Sequence, residues 1–177
     1  AVEEVLNRIA PLVKKGATVI DTCSVKVEPA RLMQEILPSH AGIIATHPMF
    51  GPDSGKNGVQ NLPIVFHTIR DINGCGAFWK NVFHEMELQL HEMTPDEHDI
   101  EAAFTQGITH FVGRVLKELE LKDSPIATLG YKKLQEIVEQ TCNDPVQLFH
   151  DLQIYNPHTE EMRARLKKAL DDTMRLF

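Results

Sequence analysis

The sequence is short of cysteine, of positive charge and of long apolar stretches, and each shortage excludes a class of protein. Its three cysteines, Cys23, Cys75 and Cys142, are odd in number and far apart, so we expect neither a disulfide framework nor a metal site built on cysteine pairs. The net charge of −7 argues against a nucleic-acid-binding surface, which needs clustered basic residues. No apolar stretch approaches the roughly 20 residues that span a bilayer. We therefore expect a soluble protein that binds neither nucleic acid nor membrane and holds no metal.

Length and composition are those of an ordinary globular protein. The chain has 177 residues, of which 42% are hydrophobic and 24% charged, enough for one domain or two small ones. It begins with Ala1 inside what the pattern predicts to be a helix, and no signal peptide is found. We therefore expect a fragment or a processed product.

The first half of the sequence alternates between helix and strand patterns. Apolar residues between Val2 and Val13 share one helical face, and Gly16 ends that helix. Further helices are predicted near 29–36 and 76–84. Short apolar stretches predict buried strands at 17–20, 42–46, 63–67 and 87–90. This alternation predicts an α/β fold with a mostly parallel sheet.

After residue 93 the pattern becomes purely helical. Thr94, Pro95 and Glu97 have the spacing of a helix N-terminus with a capping box. Further helices are predicted at 129–141, 145–152 and 158–175. An apolar stripe runs along the helix that begins at Thr94, at Ile100, Phe104, Ile108, Phe111, Val115 and Leu119. We therefore predict two domains, 1–93 and 94–177, with the stripe packed on the sheet domain or on a second copy of the chain.

Polar side chains follow two of the predicted strands. Thr22 and Ser24 come just after the first strand, and His47 ends the second. Because chemistry in open α/β sheets lies beyond the carboxyl ends of the strands, we expect Ser24 and His47 in one cleft. Histidine titrates near neutral pH and suits a general base. The alternatives are a Ser24 that caps the next helix and a His47 with a structural role.

A second polar cluster lies on the helix that follows Thr94. Gln106, His110 and Arg114 are spaced four residues apart and share a face opposite the apolar stripe. This face either contacts a ligand or is merely solvated. The pair His98-Asp99, near the start of the same helix, has the alternative of a charged first turn.

Four ordered motifs resemble the prephenate/arogenate dehydrogenase (TyrA) family, and the resemblance covers nearly the whole chain. They are Asp21–Lys26, Thr46–Lys56, Glu97–Asp99 and Gln106–His110. The amino-acid sequence of the second motif is most similar to that of the plant-type arogenate dehydrogenase branch. The resemblance implies the C-terminal half of a Rossmann-like dinucleotide-binding domain followed by an all-α dimerisation domain, and hence a homodimer.

The resemblance also implies a reaction, the last oxidative step of tyrosine biosynthesis. In it, arogenate or prephenate loses a hydride to NAD(P)⁺ and its ring carboxylate as CO₂. His47 matches the catalytic histidine, and Ser24 matches the serine that hydrogen-bonds the C4 hydroxyl or the nicotinamide. Thr22 is expected to bind the cofactor with Ser24. His110 matches a substrate-site histidine, Gln106 becomes a plausible substrate contact, and His98 matches a histidine of more structural role.

Asp144 bears on the choice of substrate. Arogenate carries an ammonium where prephenate carries a keto group, and an ammonium in a cleft requires a carboxylate nearby. Asp144 matches an acid of arogenate-preferring enzymes in the plant-type branch, with a helix N-cap before Pro145 as the alternative. The arginine that many bacterial prephenate enzymes carry a few residues earlier is absent from 138–140. Arg114, Lys132 and Lys133 are the candidates to bind a carboxylate instead.

The sequence lacks the Gly-x-Gly-x-x-Gly turn with which the family begins. We therefore expect the chain alone to bind NAD(P) poorly, and the plant-type resemblance favours NADP over NAD. The alternative function is a non-catalytic fragment that only mediates dimerisation. A metal-dependent hydrolase built on His98, Asp99 and His110 is disfavoured. The expected location is the cytoplasm for a bacterial protein and the plastid stroma for a plant protein.

Overall fold

A computed structural model describes residues 1–51 and 55–177 of the chain. Its elements fall into two units, Ala1–His98 and Asp99–Phe177. The first is an α/β unit and the second is helical. The division falls inside a helix, and the domain boundary between residues 93 and 94 stays a prediction.

The first unit contains the strands and helices that hydrophobic periodicity predicts, with shifts of a few residues at their ends. Helix α1 ends in a single 3₁₀ turn at Ala10–Leu12, and the last strand begins two residues later than predicted. In chain order the elements are α1 Val2–Ile9, β1 Thr18–Asp21, α2 Val27–Ile36, β2 Gly42–Pro48, β3 Pro63–Arg70, α3 Cys75–Glu85 and β4 Gln89–Glu92.

The four strands form one sheet in the order β1-β2-β3-β4. The pairs β1–β2 and β3–β4 are parallel, as predicted, but the central pair β2–β3 is antiparallel. The sheet is therefore mixed, which the sequence pattern did not predict. An antiparallel pair needs no crossover helix, and the segment between β2 and β3 is rich in Gly, Pro, Asp and Asn.

Strand β2 is the centre of the unit and is buried from Gly42 to His47. Successive side chains of a strand point to opposite faces of the sheet. Ile43 packs with Leu6 of α1 and Met33 of α2, whereas Ile44 packs with Phe66 and Trp79 on the other face. Helices thus cover both faces, and polar groups are left for the ends of the strands.

The helix that follows Thr94 begins with the predicted capping box. The Thr94 backbone N–H donates to Glu97 Oε2 over 2.8 Å, and the Glu97 N–H donates to Thr94 Oγ1 over 3.3 Å. The bond from the Thr94 N–H and a second one from the Thr94 hydroxyl, which donates to Glu97 Oε2 over 2.8 Å, hold the pKa of the Glu97 carboxyl below its ordinary value. Helix α4, Pro95–Ala102, is followed by a π-helical segment, Ala103–Gly107, and then by α5, Ile108–Glu118. The π segment interrupts what periodicity predicts as one regular helix.

The rest of the second unit consists of α6 Leu129–Asn143, α7 Val146–Ile154 and α8 Thr159–Met174. Helices α5 and α6 cross where Gly113 meets Thr141. A Cβ atom on Gly113 would lie 2.0 Å from Thr141 Oγ1, and Thr141 is fully buried. Only glycine permits so close an approach of the two helices.

Three of the six residues of the apolar stripe are exposed, and the other three, Phe104, Ile108 and Phe111, are half-buried. Ile100, Val115 and Leu119 are 43%, 49% and 63% exposed, whereas His110 and Gly113 on the other side are buried. The most deeply buried side of this helix is therefore the side of its polar and small residues, and not the stripe. Within the described residues, no helix is long and apolar enough to cross a membrane.

Candidate active site

A buried ion pair holds the ends of β1 and β2 together. Lys26, which is 1% exposed, pairs with the carboxylate of Asp21 and donates a hydrogen bond to Thr46 O over 2.6 Å. The Thr46 N–H donates to Asp21 Oδ1 over 3.2 Å, and Thr46 Oγ1 donates to Asp21 O. Because both charges are paired and hydrogen-bonded, this network resists separation of the two strand ends.

The same network shapes the turn that carries Thr22 and Ser24. The Cys23 N–H donates to Asp21 Oδ2 over 3.1 Å, which turns the chain directly after β1. Thr22 is exposed and Ser24 is half-buried at the edge of the sheet where His47 also lies. Ser24 is not the N-cap of α2. That position is taken by Lys26, whose side chain makes no capping hydrogen bond to the helix, so the capping alternative for Ser24 is wrong.

His47 is buried beside a second histidine. It is 4% exposed, and its Nδ1 lies 2.8 Å from Nε2 of His98, which is 2% exposed. The two ring centroids are 5.0 Å apart in an edge-on arrangement. Burial, together with the charge that His98 and Lys26 can carry, lowers the pKa of His47 to about 3. His47 is therefore a neutral imidazole throughout the physiological pH range.

The burial of His98 also corrects an alternative. His98 and the fully buried Asp99 do not form a solvated, charged first turn, although Asp96 and Glu97 before them are exposed. Helix α4 thus has an exposed acidic start that is followed by two buried polar residues.

Gln106, His110 and Arg114 form a polar row on the packed side of the long helix. His110 is 5% exposed. Gln106 Oε1, His110 Nδ1 and Arg114 Nε are buried and have no hydrogen-bond partner among the described residues. A solvated polar face is therefore the wrong interpretation. A buried polar atom without a partner is costly, and three in one row indicate a surface that binds a polar ligand.

Asp144 lies beside this row. Its Oδ2 is 3.6 Å from His110 Nε2, and its side chain is 41% exposed. The N-cap of α7 is Pro145 and not Asp144, and no side chain makes a capping hydrogen bond there, so the capping alternative is wrong. Burial lowers the pKa of His110, which Asp144 partly offsets by favouring the imidazolium and Arg114 reinforces. His110 thus favours the neutral form.

Arg114 is the basic residue that the structure places in the row. Its Nη2 donates to Thr141 O over 3.3 Å and to Asp144 O over 3.4 Å, and its guanidinium lies 5.3 Å over the ring of Phe149. The other two candidates, Lys132 and Lys133, are exposed on α6. Pro52, Asp53 and Ser54, which belong to the motif Thr46–Lys56, lie outside the described residues.

Sequence reasoning missed the role of Asp21, Lys26 and Thr46. Charged residues next to a strand are usually exposed, and the composition of this segment does not distinguish Asp21 and Lys26 from exposed charges. The signal that was available is an acid and a lysine five residues apart, on either side of the turn between β1 and α2.

Comparison with known proteins adds a family to this geometry. Residues 1–62 match the family described as "Prephenate dehydrogenase, nucleotide-binding domain", and residues 115–177 match "TYRAAT1-like, C-terminal domain". The chain is 40% identical over 164 residues to arogenate dehydrogenase 1, chloroplastic, from Arabidopsis thaliana, covering 89% of this chain and 26% of that protein. It is 37% identical to arogenate dehydrogenase 2 from the same plant, covering 89% of this chain and 46% of that protein. The chain thus spans less than half the length of these two curated relatives.

A solved structure has the same fold. Prephenate dehydrogenase from A. aeolicus, in complex with hydroxyphenyl propionate and NAD⁺, is similar with a TM-score of 0.76 and 18% sequence identity. The similarity covers 98% of this chain and 64% of that one. The fold is therefore the C-terminal half of a Rossmann-like nucleotide-binding domain followed by a helical domain, as predicted.

Proposed function

Since the chain belongs to the prephenate/arogenate dehydrogenase family, we propose that it supplies the catalytic base and the substrate-binding helices of an arogenate dehydrogenase. The observation that carries the proposal is His47, a buried and neutral imidazole at the carboxyl end of β2, inside a family motif. The alternative of a non-catalytic dimerisation module leaves the buried polar row of the second unit without a purpose.

In the proposed reaction His47 takes the proton of the C4 hydroxyl. The hydride leaves C4, the C4–O bond becomes a carbonyl, and loss of the ring carboxylate as CO₂ gives the aromatic product with a phenolic hydroxyl. An imidazole with a depressed pKa is a weak base, but the hydroxyl becomes strongly acidic as the hydride departs. The low pKa keeps the Nε2 lone pair available before that moment.

The cofactor residues fit a nicotinamide. Thr22 and Ser24 present hydroxyls at the same sheet edge as His47, and hydroxyls both donate to and accept from a carboxamide. When bound, NAD(P)⁺ supplies the hydride acceptor. Thr22 and Ser24 would orient its nicotinamide, and Ser24 would also contact the C4 hydroxyl. NADP is proposed over NAD because of the similarity to plant enzymes, although the A. aeolicus structure contains NAD⁺.

The polar row is proposed to bind the substrate's side chain. Asp144 offers a half-exposed carboxylate for the ammonium of arogenate, and His110 beside it is held neutral. Gln106 and Arg114 have buried donor or acceptor atoms that a substrate carboxylate or its hydrogen-bonding groups would satisfy. Arg114 thereby takes the place of the arginine that is absent from 138–140.

A homodimer is the proposed assembly. The exposed apolar stripe at Ile100, Val115 and Leu119 has the character of a surface that is covered by a second copy of the chain. The compartment follows from the source, the plastid stroma for a plant protein and the cytoplasm for a bacterial one; the Arabidopsis relatives are named chloroplastic.

Steady-state kinetics of the full-length protein with arogenate and prephenate, each with NADP⁺ and NAD⁺, test this function. We expect arogenate with NADP⁺ to give the highest kcat/KM. Asp144→Asn should lower kcat/KM for arogenate by about 10- to 100-fold, since a charged hydrogen bond is lost, and should spare or improve prephenate. Asp151→Asn, on the neighbouring helix α7, is the control and should change neither. Equal losses on both substrates in Asp144→Asn would contradict the role of Asp144.

A further inference from the structure

The contact between His47 and His98 is fixed from both sides. His47 follows Thr46, which is tied to Asp21 and Lys26, and its ring is 4% exposed. His98 lies in the turn directly after the capping box, and its backbone N–H donates to Thr94 O over 2.9 Å. Because both rings are buried, water does not readily replace either partner.

A distance of 2.8 Å between Nδ1 of His47 and Nε2 of His98 requires one proton between the two nitrogens. If His98 donates, the second nitrogen of a neutral His47 carries a proton and is unable to accept one. If His47 donates, its Nε2 has a free lone pair. The direction of this single hydrogen bond therefore decides whether His47 is able to act as a base.

We propose that His98 is a positioning residue that accepts the hydrogen bond from Nδ1–H of His47 and so keeps the Nε2 lone pair of His47 free for the substrate's C4 hydroxyl. The inference rests on the proposed role of His47 as the base. In this proposal His98 affects the reaction only through His47 and does not itself contact the substrate.

The groups around His47 explain why an imidazole, and not a carboxylate, suits this position. Lys26, whose ammonium bonds the carbonyl of the preceding residue, opposes a positive charge on His47, and Asp21 is already engaged by Lys26. A carboxylate in place of His98 would favour the imidazolium and remove the lone pair. A second imidazole orients the ring without adding a negative charge.

Nitrogen-15 NMR of the histidine side chains in this chain tests the proposal, because the two ring nitrogens have different shifts in each tautomer. We expect His47 to carry its proton on Nδ1. His98→Ala should move His47 toward the Nε2–H form, and His98→Gln, whose amide oxygen is able to accept the same bond, should restore Nδ1–H. His84→Ala, an exposed position on α3, is the control and should leave the His47 signals in place.

The spectrum of the unsubstituted chain decides the matter even if His98→Ala fails to fold. His47 in the Nε2–H form, or a tautomer unaffected by His98→Ala, would overturn the proposal. In the full-length protein, His98→Ala should lower kcat by about 10- to 100-fold with little change in KM for arogenate, and His98→Gln should recover most of it. Equal losses in both variants would also overturn it. If the unsubstituted protein does not oxidise arogenate but the tautomers are as expected, only the proposed function fails.

Discussion

At the level of single residues, burial decides the protonation state on which the site depends. His47 lies beside His98 with almost no access to water, and its pKa of about 3 reflects first the loss of solvation and then the positive charge that His98 and Lys26 can carry. A surface histidine at the same place in the sequence would be partly protonated at neutral pH. The burial of His47 beside His98 thus sets the chemistry of His47.

This shift predicts a dependence of stability on pH. The unfolded chain holds His47 with an ordinary pKa of 6.5 and the folded chain with a pKa of about 3, so the unfolded state binds more protons between these values. The contribution is complete above pH 6.5 and decreases as the pH falls toward 3. At pH 4.5 the free energy of unfolding should be lower by about 2 to 3 kcal/mol from this group alone. Urea unfolding at pH 7 and pH 4.5 measures the difference.

The matched variants for this measurement are His47→Gln and His84→Gln. The first should lose most of this pH-dependent decrease, because no imidazole remains to be protonated on unfolding. The second alters an exposed histidine and should keep the full decrease. The same slope in both variants would show that His47 has no depressed pKa.

Individual site residues were predictable to different degrees. Strand-end position and motif singled out Ser24 and His47, and the spacing of Thr94 and Glu97 predicted a capping box that the structure confirms. The burial of His98 was not predictable, because the polar stretch around it is typical of an exposed first turn. Only tertiary packing, which local pattern does not encode, distinguishes His98 and Asp99 from the exposed Asp96 and Glu97 before them.

At the level of secondary-structure elements, the crossing of α5 and α6 sets the geometry of the polar row. Gly113 lets the two helices approach closely, and this brings Thr141 and Asp144 to Arg114 and His110. Thr141 Oγ1 is itself fixed by a hydrogen bond to Ile137 O over 2.7 Å, so it does not rotate away without loss. The side chains that we propose to bind the substrate depend on this one contact between helices.

Gly113→Ala should therefore destabilise the protein by about 1 to 3 kcal/mol, since the added methyl group would overlap Thr141. Gly130→Ala, in the exposed first turn of α6, is the control. The nearest atom to a Cβ at Gly130 is Thr128 Oγ1, at 3.9 Å. The added methyl group should therefore be neutral or stabilise the helix by up to about 1 kcal/mol. Thermal unfolding followed by circular dichroism compares the two variants. A melting temperature unchanged in Gly113→Ala would contradict the packing described.

The elements themselves were largely predictable, and their arrangement was less so. Periodicity located the strands and helices, but it predicted neither the antiparallel pairing of β2 with β3 nor the π segment at Ala103–Gly107. The carbonyl of Gly107 accepts a hydrogen bond of 2.9 Å from Gln153, a contact 46 residues away in sequence. Such long-range bonds stabilise local departures from regular helix that no window of sequence reveals.

At the level of the whole molecule, the apolar stripe is the feature that the chain alone does not explain. Hydrophobic periodicity predicted the stripe at Ile100, Val115 and Leu119, but it could not specify which face of the helix is buried. In the structure His110 and Gly113 are buried, whereas these three residues of the stripe are exposed. A second copy of the chain that covers the stripe reconciles the pattern with the fold.

We therefore expect the chain to sediment as a dimer at micromolar concentration. Leu119→Glu should shift it toward the monomer, because a charge would be buried in an apolar interface. Phe78→Glu changes an equally exposed apolar residue of the first unit, 61% exposed on α3, and should leave the dimer intact. Sedimentation velocity distinguishes the species. An unsubstituted chain that sediments as a monomer would rule out this assembly.

The central claim, that His47 is the base of an arogenate dehydrogenase, is tested most directly by the kcat of the full-length protein carrying His47→Gln. With arogenate and NADP⁺ in excess, the account predicts a kcat lower by about 100- to 10,000-fold, with arogenate binding little changed. A kcat equal to that of the unsubstituted protein would contradict it.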